Sequence, residues 1–125
     1  MREVVATRAL PSPRFRYTPV IRAGSSIFVS GLIGLDPVQG CLAEGAYAQT
    51  HQVMKNLFAL CDEQGWAREQ LVMARVYCSS PDAAGDFNRA WDEAFASIVP
   101  PARSVVTVQS LPLGAAVEIE FQLVS

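Results

Sequence analysis

The chain has 125 residues, of which half are hydrophobic and only 18% are charged, and its formal net charge is −2. This length predicts a single domain, residues 1–125, that is large enough to bury a core. The low charged fraction leaves more apolar surface than a small monomer easily hides, which predicts an oligomer. The ten basic residues are scattered along the chain, so nucleic acid is not an expected partner.

Neither a membrane span nor a metal site is expected. No apolar run approaches the length of a transmembrane helix, and the N-terminal residues show no signal-peptide core, which predicts a soluble cytoplasmic protein with no membrane partner. His51 is the only histidine. It is interpreted as a polar helix position, because a zinc site or a Ser-His-Asp triad lacks its other members. The cysteines lack metal-type spacing and are interpreted as reduced and mostly core-filling: Cys41, Cys61 and Cys78.

The first half of the chain predicts three strands and a helix. Residues 3–9 predict a short strand, and residues 14–24 lead, as one arm of a hairpin, into a β-branched and aromatic strand at 25–37. From Tyr47 to Gln64 the apolar residues recur at helical spacing, and Gly65 is typical of a helix C-cap. This helix is expected to bury one face.

The second half predicts one strand, one helix and two more strands. Residues 71–80 are almost continuously apolar, which is typical of a strand covered on both faces. Residues 82–98 carry an apolar stripe at helical spacing, and strands follow at 104–109 and 115–124. The proline and glycine of 110–114 favour a hairpin between the last two strands.

The predicted order is β-β-β-α-β-α-β-β, an α+β fold with two helices on one face of a mixed sheet. In the last strand the apolar residues alternate with polar ones, so that one face is core and the other carries Glu118, Glu120 and Gln122. Two helices cannot cover both faces of such a sheet. We therefore expect other subunits to cover the second face.

Arg103 is the first candidate for binding chemistry. Pro100 and Pro101 restrict the backbone before it, and a guanidinium fixed at the start of a strand suits a bidentate grip on a carboxylate. The predicted hairpin places Glu118 opposite the start of the preceding strand, where its carboxylate can orient and deprotonate a water. The alternatives are an ion pair of Arg103 with Glu118 or Glu120, and a solvated glutamate.

Further candidates lie in the first half of the chain and in the second helix. Tyr17 can cap a pocket with its hydroxyl or serve as an interface aromatic residue. Ser30 and Gly31 allow close approach of a ligand, as well as ordinary strand packing. Asn88 is by default a polar helix residue. The basic residues near Tyr17 are interpreted as solvated charges: Arg14, Arg16 and Arg22.

The C-terminal third of the sequence closely resembles a known family signature. Residues 100–120, PPARSVVTVQSLPLGAAVEIE, resemble the signature of the Rid (YjgF) family, the reactive-intermediate imine deaminases, in the spacing of the arginine, the Leu-Pro turn and the glutamate. Residues 27–40, IFVSGLIGLDPVQG, resemble its strand-Ser-Gly segment, and residues 86–95, DFNRAWDEAF, resemble one of its helices. The resemblance covers about residues 15 to 124.

This resemblance implies a homotrimer with a chorismate-mutase-like fold and with sites between adjacent subunits. It implies that 2-imino acids and their 2-aminoacrylate-type enamine tautomers are hydrolysed to 2-oxo acids and ammonia, with no cofactor and no metal. Arg103 and the backbone N–H of Val105 would bind the substrate carboxylate, and Glu118 would position the water. Tyr17 would face the site from a neighbouring subunit. The remaining substrate-binding residues implied are Ser30, Gly31 and Asn88.

The chain departs from the family pattern around Tyr17. Phe15-Arg16 precedes the tyrosine where many members have Gly-Pro, and Pro19 follows closely. Leu32 replaces a common glutamine, and Val105 a frequent cysteine. These differences predict an altered and more basic pocket rim.

Two other functions stay open at this point. One is a non-catalytic trimeric module that binds a carboxylate metabolite. The other is a pathway-specific enzyme that acts on a larger imine or enamine, in which Arg16 or Arg22 reaches a second anionic group.

Overall fold

Six β-strands and two α-helices make up the computed structural model, which describes residues 1–125. Their order along the chain is β1 (Arg2–Val4), β2 (Val20–Ala23), β3 (Ser26–Leu32), α1 (Ala46–Gln64), β4 (Leu71–Cys78), α2 (Pro81–Ala94), β5 (Ala102–Thr107) and β6 (Val117–Val124). This confirms the predicted order of elements. Two short 3₁₀ helices lie in the connections, at Arg68–Gln70 and Pro112–Gly114.

The strands form one mixed sheet in the order β1-β2-β3-β6-β4-β5. Neighbouring strands are antiparallel except β4 and β5, which are parallel. The predicted hairpin between the last two strands is therefore wrong, because β4 lies between them. A parallel pair needs a crossover, which α2 supplies. β5 thus takes the edge beyond β4, and the following loop carries the chain back across β4 to β6.

Local signals set the ends of the two helices. α1 ends at Gly65, which has a left-handed φ of 74° and so confirms the predicted C-cap. α2 begins after Ser80, whose Oγ accepts a hydrogen bond from the N–H of Ala83 at 3.0 Å. The helix ends at Ala94 rather than at residue 98, because the last residues of the predicted stripe form a turn.

The first strand is shorter than predicted because a contact with α1 draws the chain off the sheet. The carboxylate of Glu63 accepts hydrogen bonds from the Thr7 hydroxyl at 2.5 Å and from the N–H of Arg8 at 2.9 Å. The segment from Thr7 to Leu10 therefore turns away from β2, and Leu10 is buried. This turn brings residues 10–19 over one end of the sheet.

The core lies between the two helices and one face of the sheet. Fully buried side chains from both sides meet there, among them Leu57 and Leu60 of α1, Phe87 of α2, and Val76, Ile119 and Phe121 of the sheet. Neither α-helix covers the opposite face, and residues 10–19 lie over one end of it. Phe28 is 44% exposed and Val106 is 49% exposed. Neither α1 nor α2 has the length and apolar character of a membrane-spanning helix.

Buried polar side chains of α1 attach the loops to this core. The side-chain amide of Gln49 donates to the carbonyl of Ala43 at 3.0 Å, and its oxygen accepts from the N–H of Ala116 at 2.8 Å. Asn56 donates to the carbonyl of Leu35 at 2.8 Å. Because a buried amide is costly to leave unpaired, these bonds fix the segments that flank β3 and the start of β6.

Candidate active site

One cavity, of about 440 Å³, opens at the end of the sheet where β3 and β6 lie side by side. Its wall includes four residues that the sequence had singled out: Tyr17, Ser30, Gly31 and Glu118. The loop of residues 10–19 closes one side. The 3₁₀ turn that holds Leu113 closes another.

Ser30 holds the loop that carries Tyr17 against β3. Its hydroxyl donates to the carbonyl of Thr18 at 2.7 Å, and its N–H donates to the carbonyl of Pro19 at 2.9 Å. The register between β3 and β6 shifts between Val29 and Leu32. Such an irregularity redirects side chains locally, and here it falls beside the cavity.

Glu118 lies directly against the backbone of Gly31. A Cβ atom at position 31 would lie 2.3 Å from Oε2 of Glu118 and 2.8 Å from its Cδ. No other residue fits without moving the carboxylate, so Gly31 gives Glu118 its place at the cavity wall.

The surroundings of Glu118 favour its protonated form. Burial raises the pKa of this half-buried carboxyl, and the neighbouring carboxylate of Glu120 raises it further. A carboxylate with a raised pKa is a better proton acceptor near neutral pH. Glu118 is therefore suited to take a proton from a water in the cavity.

Arg103 lies elsewhere, on the helix side of β5. Its Nη2 donates to Oδ1 of Asn88 at 2.6 Å. Its guanidinium carbon lies 5.3 Å from the ring centroid of Phe87 and 5.4 Å from that of Trp91. These contacts hold the guanidinium against α2. The partly buried Val105 packs beside them.

Arg103 and Glu118 are on opposite faces of the sheet. On β4, Ala74 is paired with Arg103 of β5, and Tyr77 is paired with Glu118 of β6. Residues opposite each other on neighbouring strands share a face, and residues 74 and 77 point to different faces because successive side chains alternate. Arg103 and Glu118 are also separated by β4, so that their strands are roughly 10 Å apart across the sheet.

The expected closeness of Arg103 to Glu118 is therefore wrong within one chain, because it depended on the hairpin. The alternative ion pair with Glu118 or Glu120 is not formed either, since Arg103 donates to Asn88. Tyr17 and Glu118 line the same cavity of one chain. The residue expected to come from a neighbouring subunit was Tyr17. Within one chain it is Arg103 that lies away from Glu118.

The rim of the cavity is mainly apolar. Arg14 is the one arginine that lines it, and Nη2 of Arg14 donates to the carbonyl of Gly40 at 2.8 Å. Arg22 instead lies 3.3 Å from the hydroxyl of Ser125, and Arg16 is exposed outside the cavity. The predicted basic rim is thus limited to Arg14. The family departures that do line the cavity are Phe15, Pro19 and Leu32.

The histidine and the cysteines, to which the sequence analysis assigned no catalytic or metal-binding role, lie away from the cavity. His51 is on α1, with Nε2 2.8 Å from Oε1 of Glu93 on α2. Cys61 and Cys78 are buried and free, and burial raises the pKa of the Cys61 thiol to about 11. Cys41 is exposed and free.

Two residues at the site were not predicted to be site residues: Glu120, which the sequence placed on the polar face of the last strand, and Tyr77, which it did not name. Glu120 lines the cavity beside Glu118, and Tyr77 lies next to both in a smaller cleft. The alternation of β6 already placed the two glutamates on one face. Tyr77 could not be found in this way, because its position depends on the pairing of β4 with β6.

Comparison with known proteins gives consistent matches over almost the whole chain. A family model described as endoribonuclease L-PSP matches residues 7–124. A RutC family protein of Aquifex aeolicus is 36% identical over 121 residues, which cover 96% of each chain. The 2-iminobutanoate/2-iminopropanoate deaminase of Mus musculus is 30% identical over 121 residues, which cover 96% of this chain and 89% of the mouse protein.

The fold is also found among solved structures. A Yersinia pestis protein of the conserved Rid family, YyfA, whose function is unknown, superposes with a TM-score of 0.91 at 30% identity. The superposition covers 100% of both chains.

Proposed function

Because the chain belongs to the Rid family, the family that the endoribonuclease L-PSP model describes, we propose that it is an enamine/imine deaminase. Its substrates are small 2-imino acids, such as 2-iminopropanoate and its 2-aminoacrylate tautomer. Its products are 2-oxo acids and ammonia. The observation that carries this proposal is Glu118, a half-buried carboxylate of raised pKa that Gly31 seats at the wall of a cavity.

In the proposed reaction Arg103 and the N–H of Val105 bind the substrate carboxylate and so orient the imine carbon. Glu118 takes a proton from a water, whose oxygen attacks that carbon and forms a carbinolamine. Glu118 then returns this proton to the nitrogen, which completes the carbinolamine. Glu118 next takes the hydroxyl proton as the C=O bond forms and the C–N bond breaks, and it passes this second proton to the nitrogen, which leaves as ammonia. Water and substrate supply all the atoms, so the reaction needs no cofactor and no metal. The role that fits this chemistry is metabolite damage control in the cytoplasm.

We place the complete site between two copies of the chain in a homotrimer. Arg103 and Asn88 of one copy are held together on α2 and β5, whereas Glu118 lines a cavity on the other face of the sheet. The sheet face that neither α-helix covers, with Phe28 and Val106 exposed, supplies apolar surface for such an assembly. A neighbouring copy that covers this face can bring its Arg103 to the cavity.

The proposal is tested with freshly generated 2-imino acids. An amino-acid oxidase converts a panel of amino acids to imines, and the loss of the imine and the gain of the 2-oxo acid are followed. We expect catalytic amounts of the protein to speed imine loss above the spontaneous rate, with equal gain of 2-oxo acid. If no imine of the panel is lost faster than in buffer, the deaminase proposal fails. A non-catalytic binder of carboxylates would then be favoured.

A second candidate substrate class is a larger imine, and the size of the cavity favours it. About 440 Å³ is within the range of pockets that bind drug-sized ligands. The wall includes the apolar residues Leu10, Phe15, Leu32 and Leu113. A higher kcat/KM for the imines of leucine and phenylalanine than for that of alanine would support this class.

Replacing Gly31 with alanine is expected to lower kcat about 10- to 100-fold without unfolding the protein. The added methyl group would overlap the Glu118 carboxylate, and a small misplacement of a catalytic group is costly. The imine assay and circular dichroism measure the two effects. The matched control is Gly85→Ala on α2, where the new methyl group meets nothing within 4 Å. Full activity in folded Gly31→Ala would contradict this placement of Glu118.

A further inference from the structure

Glu120 is a second carboxylate at the wall that holds Glu118. The two residues are two positions apart on β6, so they share a face, with about 7 Å between their Cα atoms. Tyr77 lies directly opposite Glu118 on β4. Its hydroxyl nevertheless donates to Oε1 of Glu120, at 2.5 Å. The tyrosine side chain therefore passes diagonally beside Glu118, and all three residues also line the smaller neighbouring cleft.

The hydrogen bond fixes the position of the Glu120 carboxylate. A phenol that donates to a carboxylate stabilises its charge, and the same contact raises the pKa of Tyr77, so the donor keeps its proton. The other charged or titratable groups facing this region are few. Arg75 stands opposite Glu120 on β4 and forms no ion pair with it. Tyr17 and Arg14 line the same cavity from the loop, and Nη2 of Arg14 donates to the carbonyl of Gly40. β3 contributes the uncharged Ser30 and Gly31.

We propose that Tyr77 and Glu120 are positioning residues that hold a fixed negative charge beside Glu118, an inference that rests on the general-base role proposed above. Two neighbouring carboxylates do not ionise independently, because the first charge opposes the second. The hydrogen bond from Tyr77 holds the Glu120 carboxylate at a place where its charge acts on Glu118. A negative charge held there makes the Glu118 carboxylate a stronger base, and Glu118 is the group that must take a proton from water and return it to nitrogen.

The test compares the pH dependence of kcat/KM in the natural protein and in Glu120→Gln. Glu118 must be ionised to accept a proton, and its pKa falls when the neighbouring charge is removed. The acid limb of the profile is therefore expected to move to lower pH by about 0.5 to 1 unit, the size expected if the two charges at a partly wet surface are about as far apart as their Cα atoms. KM is expected to change little. The control is Glu44→Gln, an exposed glutamate outside the cavity, whose profile should coincide with that of the natural protein.

Tyr77→Phe tests the second member of the pair. Without the hydrogen bond from Tyr77, the Glu120 carboxylate is free to turn away from Glu118, and kcat is expected to fall several-fold. In the Glu120→Gln background the same substitution should have almost no effect, because the interaction is already lost. Equal losses in both backgrounds would show that Tyr77 acts only through packing, and would overturn its assigned role.

Direct titration separates this inference from the proposed function. The side-chain carboxyl of Glu118 is followed by carbon NMR in the free protein, with no substrate present. A lower midpoint in Glu120→Gln supports the pair, and an unchanged midpoint overturns it, whatever the turnover. If Glu118→Gln keeps full activity while the midpoint shifts, the general-base role fails and the electrostatic pair stands.

Discussion

Replacing Glu118 with glutamine is expected to lower kcat for imine hydrolysis by about 10²- to 10⁴-fold, the usual contribution of one positioned general base. Glutamine keeps the shape of the side chain but cannot take a proton from water. The substrate carboxylate is bound by other groups, so KM should change little. The comparison is made with freshly generated 2-iminopropanoate under single-turnover and steady-state conditions.

The same variant separates an enzyme from a binding module. Calorimetry with the stable 2-oxo acid product measures affinity without turnover, and Glu118→Gln is expected to retain it. Glu69→Gln, an exposed glutamate in the 3₁₀ helix before β4, is the control for the loss of one charge. If Glu118→Gln had the turnover of the wild-type protein, the proposed general-base role of Glu118 would be rejected.

Replacing Arg103 with alanine is expected to lower kcat/KM by about 100-fold or more, mainly through KM. A bidentate, charge-assisted pair with a carboxylate is lost, and such bonds are the stronger class of hydrogen bonds in proteins. Arg103→Lys should recover part of the loss, because an ammonium supplies charge but not the planar fork. Arg2→Ala, at an exposed arginine on the edge strand β1, controls for the loss of a surface cation. An unchanged kcat/KM in Arg103→Ala would reject carboxylate binding at this position.

Mixing two inactive variants tests the proposed position of the site between chains. In mixed trimers, an Arg103→Ala chain still provides Glu118, and a Glu118→Gln chain still provides Arg103. With random exchange each required residue is present half the time, so about a quarter of the sites of a symmetric assembly should be intact. Light scattering should give a mass near three times the 13.5 kDa of one chain. If a trimer forms and exchanges but no activity returns, the two-chain site is excluded.

Local sequence patterns were enough to predict the helices and strands, but not the order of the strands in the sheet. The helical spacing in α1 and the glycine after it are properties of neighbouring residues, and both predictions are confirmed. The order of strands depends on which distant segments pair. The Leu-Pro-Leu-Gly segment has the composition of a hairpin turn, yet it forms a 3₁₀ turn in which Leu113 takes a φ of 58°. This segment carries the chain from β5 across β4 to β6, and not into a strand paired with β5.

The site was predictable to a similar extent. Tyr17, Ser30 and Glu118 were chosen for their chemistry or their resemblance, and they do meet at one cavity. The contact between Gly31 and Glu118 was beyond reach, because it depends on an irregular register between two strands far apart in sequence. The contact of Arg103 with Asn88 likewise needs the parallel pairing that draws β5 to the edge under α2.

The close contact between Glu118 and Gly31 means that two parts of the cavity differ in how freely their residues can be substituted. Any side chain at position 31 would displace the Glu118 carboxylate, so a substitution there changes the position of this group. Phe15 and Leu113, by contrast, are 69% and 47% exposed on the loops around the opening. Substitutions at the rim can therefore change the range of molecules that fit the cavity while Glu118 keeps its position.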